Sequence, residues 1–197
     1  MEYIALGNTG LRAAVISFGG IPIQRSDADN TRAVVDKLAD HGINYIDTAR
    51  GYTISEDYLG RALEGRRDQF ILATKSMARD YAGMARDVET SLTNLRTEYI
   101  DLYQLHNLGE KDFEQVFGPE GAWWALDEAR KAGKIGHIGV TAHSLDALRR
   151  LVEEYGEAVE TVMFPYNIVE LQGQQVLAQA REKGIGTIAM KPLAGGN

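Results

Sequence analysis

Two rhythms of apolar residues take turns along this chain. Short runs rich in Ile, Val, Phe and Tyr occupy residues 15–18, 45–46, 70–74, 99–105, 135–140, 161–166 and 186–190. Several are apolar almost without interruption, the pattern of parallel strands covered on both faces. Between them the apolar positions relax to a helical period. Residues 31–42 set Val34, Val35, Leu38 and His41 along one stripe and stop at Gly42, a residue suited to a helix C-terminus. Residues 55–65 open on Ser55, a capping residue type, and close on Gly65. Met84, Val88, Leu92 and Leu95 repeat at helical spacing, and residues 121–133 carry basic side chains into their last turn, where the helix dipole favours them. Residues 144–156 and 174–184 complete the set. Ahead of this alternation, residues 2–6, a Gly-Asn-Thr-Gly turn and residues 11–20 predict a β-hairpin.

Strand, helix, strand through seven runs is the grammar of an α/β fold. No Gly-x-Gly-x-x-Gly follows the first strand, so a dinucleotide-binding doubly wound sheet lacks its main support. The expectation is a TIM (β/α)8-type barrel, whose functional groups sit at the C-terminal ends of the strands. Such barrels run to about 250 residues, whereas this chain has 197 and reaches its end just after the seventh run. The predicted architecture is therefore an incomplete barrel over residues 1–197, lacking the last strand and helices, with about seven βα units spanning 15–197. Unpaired strand edges in such a sheet predict self-association.

Composition narrows the function classes. The 44% hydrophobic and 25% charged content suits an ordinary globular protein. A net charge of −7 without a basic run argues against a nucleic-acid partner. Cysteine is absent, which removes disulfides, thiolate metal sites and cysteine nucleophiles within these residues. No apolar run approaches the ~20 residues of a bilayer span, and the first residues carry no secretory pattern. No membrane association and a cytoplasmic location are the expectations.

Polar residues at the strand ends carry the candidate chemistry. The second strand ends in Asp47, with Tyr52 in the loop beyond; the third ends in Lys75 and the fourth in His106. If the barrel curls as expected, all four share one face. A phenol with its ordinary pKa of ~10 is a poor proton donor at neutral pH unless nearby positive charge favours phenolate. Lys75 would supply that charge, Asp47 would hold Lys75, and His106 would either donate a hydrogen bond to a substrate oxygen or share a proton with Tyr52. A phenol supplies no hydride, so reduction of a carbonyl on this site requires a redox cofactor. Each residue alone has a plainer reading as a turn cap, an interfacial tyrosine or a solvated strand end. A metal site is not expected: Asp47 and His106 lack a third ligand, and Lys75 between them would repel a cation. His137 and His143 read as loop caps or satisfied core residues. Trp123, Trp124 and Met84 read as core packing. Gly19-Gly20 and Gly195-Gly196 suit either a phosphate approach or a tight turn.

The segments YIDTARGYTISEDYLGRAL, ATKS, YIDLYQLHN and GKIGHIGVTAHS resemble successive motifs of the aldo-keto reductase superfamily. FGGIPIQR, VMFPYNIVE and IAMKPLAGG are similar to a branch whose members often carry a C-terminal ferredoxin-like extension, absent here. The resemblance implies a catalytic tetrad of Asp47, Tyr52, Lys75 and His106, a small aldehyde or ketone as substrate, and NADPH or NADH as cofactor. It implies a plug at the barrel bottom formed by residues 1–14, and cofactor contacts from Gly20, Ile21, Asp47, Thr141, Met190, Lys191 and Leu193. The chain departs from the family pattern at several of these positions. Thr141-Ala142 stands where a Ser-Asn pair is usual, Met163 replaces a glutamine, and Met190 replaces a stacking tyrosine. The loop that grips the adenosine phosphate, after the eighth strand, has no counterpart. A second reading therefore stands beside the first: a catalytically impaired fragment, or a non-enzymatic scaffold that binds nucleotide or a partner.

Overall fold

The computed structural model describes residues 1–194; Gly195 and Gly196 lie outside them. In chain order the elements are β1 (Tyr3–Ala5), β2 (Arg12–Ala14), β3 (Phe18–Gly19), α1 (Ala28–Asp40), β4 (Tyr45–Asp47), α2 (Ser55–Ala62), β5 (Ile71–Ser76), α3 (Tyr81–Leu95), β6 (Ile100–Leu105), α4 (Phe113–Phe117), α5 (Ala122–Lys131), β7 (Ile135–Thr141), α6 (Leu145–Glu154), β8 (Thr161–Pro165), α7 (Gln174–Glu182) and β9 (Gly186–Met190). Strands β3 to β9 form one parallel sheet in sequential order, and β1 and β2 pair separately as the hairpin. This is the α/β incomplete barrel that the alternating runs predict: seven parallel strands are present among the described residues, with β3 and β9 each paired on one side only.

Alternation along each strand sorts its residues between two cores. Ile46, Leu72, Tyr103, Leu105, Ile138 and Val140 point outward into the main core, where α1 to α7 cover the sheet. On the opposite face Tyr45, Ile71, Ala73 and Leu102 form a smaller cluster closed by Leu6 and Ala13 of the hairpin segment. The hairpin is fixed at both flanks. Asn44 accepts from the Ala14 amide at 2.8 Å and donates to the Arg12 carbonyl at 2.9 Å, while the Asn8 amide reaches the Gly184 carbonyl at 2.8 Å. The inner face therefore has an apolar floor and continues upward, by the same parity, into Asp47, Lys75 and Gln104. Register aligns these tips: Asp47 lies opposite Ala73, and Lys75 opposite Gln104.

Several local expectations are corrected. Ser55 does not cap α2: Ile54 occupies the N-cap without a side-chain bond, and Ser55 Oγ instead donates to the Gly20 carbonyl at 3.0 Å and lies 2.9 Å from Thr48 Oγ1. The buried stripe of α1 is Thr31, Val35 and Leu38, so His41 falls off it; His41 is exposed at the C-cap, with Nδ1 on the Lys37 carbonyl at 2.9 Å. The first strand of the barrel is paired only at Phe18 and Gly19, leaving Val15 and Ile16 exposed. Trp123 packs on the main core, and its indole donates to the Ala158 carbonyl at 2.7 Å, but Trp124 is 45% exposed. Adjacent residues on a helix point about 100° apart, so both indoles cannot face one core. Among the described residues no helix is long and apolar enough to cross a membrane.

Gly7 is where the hairpin meets β9 most closely. Its φ is +57°, and a Cβ there would overlap the Gly186 amide nitrogen and the Gly184 carbonyl. Gly7→Ala is expected to cost about 1–3 kcal/mol, lowering the urea midpoint while leaving the slope unchanged. An unaltered midpoint would show that the hairpin is not docked in this way.

Candidate active site

Asp47 ends β4 and Lys75 lies in β5, the next strand, so the register alone brings them together. Lys75 is 2% exposed, and its ammonium donates to Asp47 Oδ2 at 2.6 Å and to the Thr48 carbonyl at 2.6 Å. The second carboxylate oxygen accepts from Gln104 Nε2 at 3.0 Å. Burial pushes the Asp47 carboxyl above its usual range, against the opposing pull of Lys75 and Gln104. Gln104 is absent from the sequence expectations; its signal was the period of two in YIDLYQLHN, which sets it on the same face as His106.

The loop after β4 is tied to β5 before it releases Tyr52. The Thr48 amide donates to the Ala73 carbonyl at 2.8 Å and the Arg50 amide to the Lys75 carbonyl at 2.9 Å. Tyr52 is half-buried and presents its ring face to Lys75, with Nζ 4.8 Å from the centroid. Its ring also meets the His106 imidazole edge-on, at 5.9 Å between centroids and 85° between planes. The structure thus brings together Asp47, Tyr52, Lys75 and His106.

His106 follows β6 directly. Its amide donates to the Ser76 carbonyl at 2.9 Å, and its own carbonyl accepts from Arg79 Nη2 at 2.8 Å. Nδ1 is buried with no hydrogen-bond partner among the described residues. Burial, together with the charges of Lys75 and Arg79 and the neighbouring His143, pushes this imidazole down to about 4. His106 is therefore neutral at physiological pH. A neutral imidazole carries one N–H donor and one acceptor.

The residues proposed for cofactor contact are more dispersed. Gly20 lies against the tetrad, but its amide donates to the Asp47 carbonyl at 2.6 Å and its carbonyl accepts from Ser55, so neither group is free. A Cβ at Gly20 would stand 2.9 Å from the Asp47 carbonyl, so closeness of packing accounts for the glycine. Ile21 is exposed beside it. Thr141 ends β7; its hydroxyl oxygen accepts from the Asn107 amide at 2.8 Å and its carbonyl from the Leu108 amide at 2.8 Å. Thr141 is 1% exposed, and its hydroxyl proton has no acceptor among the described residues. Met163 is buried in β8, Met190 is partly buried at the end of β9, and Lys191 and Leu193 are exposed beyond it. Burial and the Lys191 charge lower the His143 pKa, against an upward pull from Glu170. Lys191 is exposed at this rim, whereas Lys75 and Arg79 are ion-paired with Asp47 and Asp112. His137 stands apart, with Nδ1 2.7 Å from Glu160 Oε1.

Three comparisons place this geometry among known proteins. The model of the Aldo/keto reductase family matches residues 15–197. The chain is 33% identical to the aldo-keto reductase YhdN of Bacillus subtilis, over all of this chain and 63% of that protein. It is 28% identical to the L-galactose dehydrogenase of Arabidopsis thaliana, over all of this chain and 66% of that protein. Among solved structures, an aldo-keto reductase from Bacillus halodurans in its holo form superposes with a TM-score of 0.87 at 28% identity, covering all of this chain and 68% of that one. The chain spans about two thirds of the length of the curated relatives it matches.

The depressed His106 value has a consequence for stability. Between the ordinary value of 6.5 and about 4 the unfolded chain binds a proton at His106 that the folded chain does not. Stability contributed at neutral pH is therefore lost as pH falls through that window. Urea denaturation of wild type and His106→Gln from about pH 7 to about pH 4.5 should show the steeper loss in wild type, with His143 common to both. Parallel losses would contradict a neutral, buried His106.

Proposed function

The chain belongs to the aldo/keto reductase family, and from that premise we propose that it reduces a small aldehyde or ketone, with Tyr52 as the proton donor. The observation that carries this reading is the buried Lys75 ammonium, held by Asp47 on one side and set 4.8 Å from the centre of the Tyr52 ring on the other. Reduction of a carbonyl needs a hydride at carbon and a proton at oxygen. NADPH or NADH supplies the hydride when bound.

The chain's own residues supply the rest. Tyr52 gives its hydroxyl proton to the carbonyl oxygen as negative charge develops there. The Lys75 ammonium stabilises the phenolate left behind, acting in a water-poor site where such a charge counts for more than in bulk solvent. Asp47 balances and aims Lys75, and Gln104 fixes the Asp47 carboxylate in turn. His106, neutral, offers its single N–H to the same carbonyl oxygen and so sets the substrate's orientation. Toward the cofactor, the Thr141 hydroxyl has a proton to offer a carboxamide, Met190 presents an apolar face to a flat ring, and Lys191 offers charge to a phosphate. Gly20 gives close approach rather than a hydrogen bond, and Ile21 and Leu193 add apolar surface at the rim.

Thr141-Ala142, Met163 and Met190 favour a second reading, in which the chain binds nucleotide or a partner without turnover. The one-sided pairing of β3 and β9 favours self-association through those edges.

Titration of NADPH fluorescence should show binding with a Kd below about 1 mM. NADPH oxidation with a simple aldehyde should then fall by about 10²–10⁴ in kcat for Tyr52→Phe. Equal rates in the two proteins would remove Tyr52 from the chemistry; binding without turnover in wild type would establish the second reading.

A further inference from the structure

A carboxylate in the first turn of a helix ordinarily stands in solvent, where it complements the dipole. Glu56 holds that position in α2 and is 1% exposed. Its two oxygens each accept two hydrogen bonds. Oε1 takes Thr74 Oγ1 at 2.8 Å and Ser91 Oγ at 2.8 Å; Oε2 takes Arg50 Nη1 at 2.7 Å and Asn94 Nδ2 at 3.2 Å. Ser91 has one proton to give, so the 3.1 Å contact between its Oγ and the Tyr103 hydroxyl is donated by Tyr103. A buried anion this fully satisfied draws on the loop after β4 through Arg50, on β5 through Thr74, on α3 through Ser91 and Asn94, and on β6 through Tyr103.

Two of those partners border the groups assigned to chemistry. Thr74 immediately precedes Lys75 and faces the opposite side of β5, so Glu56 grips the strand from behind the ammonium. Arg50 and Glu56 flank Tyr52 in sequence, and their ion pair closes the loop that carries it. That loop holds Thr53 at a φ of +43°, an unfavourable conformation for a β-branched residue that persists only where the surroundings enforce it. Released from the Arg50–Glu56 closure, the loop would relax, and Tyr52 would leave its place over Lys75.

We propose that Glu56 is a positioning residue, whose buried charge sets the Tyr52 phenol against Lys75 by closing the loop onto β5. The inference rests on the reading of Tyr52 as proton donor and adds a residue that touches neither substrate nor cofactor. Its consequence is selective: loss of the Glu56 charge should loosen residues 48–56 and slow turnover without weakening substrate binding.

The test is Glu56→Gln, which keeps the shape and removes the charge, read by two measurements. Amide hydrogen exchange followed by mass spectrometry should quicken by about tenfold or more in peptides covering residues 48–56 and stay within about twofold over α6 and β8. Steady-state reduction of a simple aldehyde should show kcat down by about tenfold or more with KM within about twofold. Unchanged loop exchange, exchange raised equally throughout, or a KM effect with kcat intact would each overturn the proposal. The double variant Arg50→Met with Glu56→Gln leaves no guanidinium stranded and carries the same readouts if the single variant does not fold. Failure of both to fold would make Glu56 a stability residue and overturn the positioning role. The exchange arm is independent of turnover, so a wild-type chain that reduces no aldehyde contradicts the proposed function while Glu56 is still judged on its loop.

Discussion

Lys75 sits in the middle strands of a parallel sheet with 2% of its surface exposed, and its charge has to be met where it stands. A lone ammonium in such surroundings costs several kcal/mol even after the protein relaxes around it. Asp47 and the Thr48 carbonyl each accept a hydrogen bond from it at 2.6 Å, and the face of Tyr52 lies on a further side. This requirement fixes a great deal. β4 must end at Asp47, and the chain must turn there so that the Thr48 carbonyl points inward. β5 cannot slip by one residue without carrying Lys75 into the helix-facing core, because a single step exchanges the two faces of a strand.

A second buried charge balances the first from behind the same strand. On the barrel side of β5 the pair is Asp47 and Lys75; on the helix side Glu56 and Arg50 are joined to the strand through Thr74. The loop bearing Tyr52 runs between these two clusters and is anchored to both. Such an arrangement costs desolvation at every ion, and the extensive apolar packing of Ile46, Leu72, Leu105 and their helical partners offsets it. What the strained loop gains is a fixed geometry: the phenol lies with its ring face 4.8 Å from the Lys75 ammonium and edge-on to the His106 imidazole.

The parts of this design differ in how openly the sequence displays them. The strands announce themselves through continuous apolar runs, and the acid, phenol, amine and imidazole are visible because each stands at or beyond the end of such a run. Gln104 was hidden inside an apolar strand, where a single polar residue reads as an interruption until the parity of the strand is counted. Glu56 was hidden for the opposite reason: a glutamate in a first helical turn is so ordinary that nothing marks it as buried. The trace it leaves is Gly60 one turn later, where any Cβ would overlap the Asn94 carbonyl; the glycine lets α2 close on α3 and bury the carboxylate. Ser55 read as a cap because its type and place suited one, but the nearby Gly20 carbonyl and Thr48 hydroxyl compete for the same hydroxyl. The exposure of Trp124 and of Val15 and Ile16 follows from tertiary packing that composition does not express. The pattern of apolar runs names the strands; it does not say which polar side chains will face one another across them.

The most direct test of the buried pair as the organising constraint is a double-mutant cycle on unfolding free energy with Asp47→Asn, Lys75→Met and both together. Each single replacement strands one buried partner and is expected to cost about 3–5 kcal/mol. The double variant strands neither, so its cost should fall short of the sum by about 2 kcal/mol or more. Costs that add to within about 0.5 kcal/mol would contradict the account, because Asp47 and Lys75 would then be independent residues that happen to be neighbours.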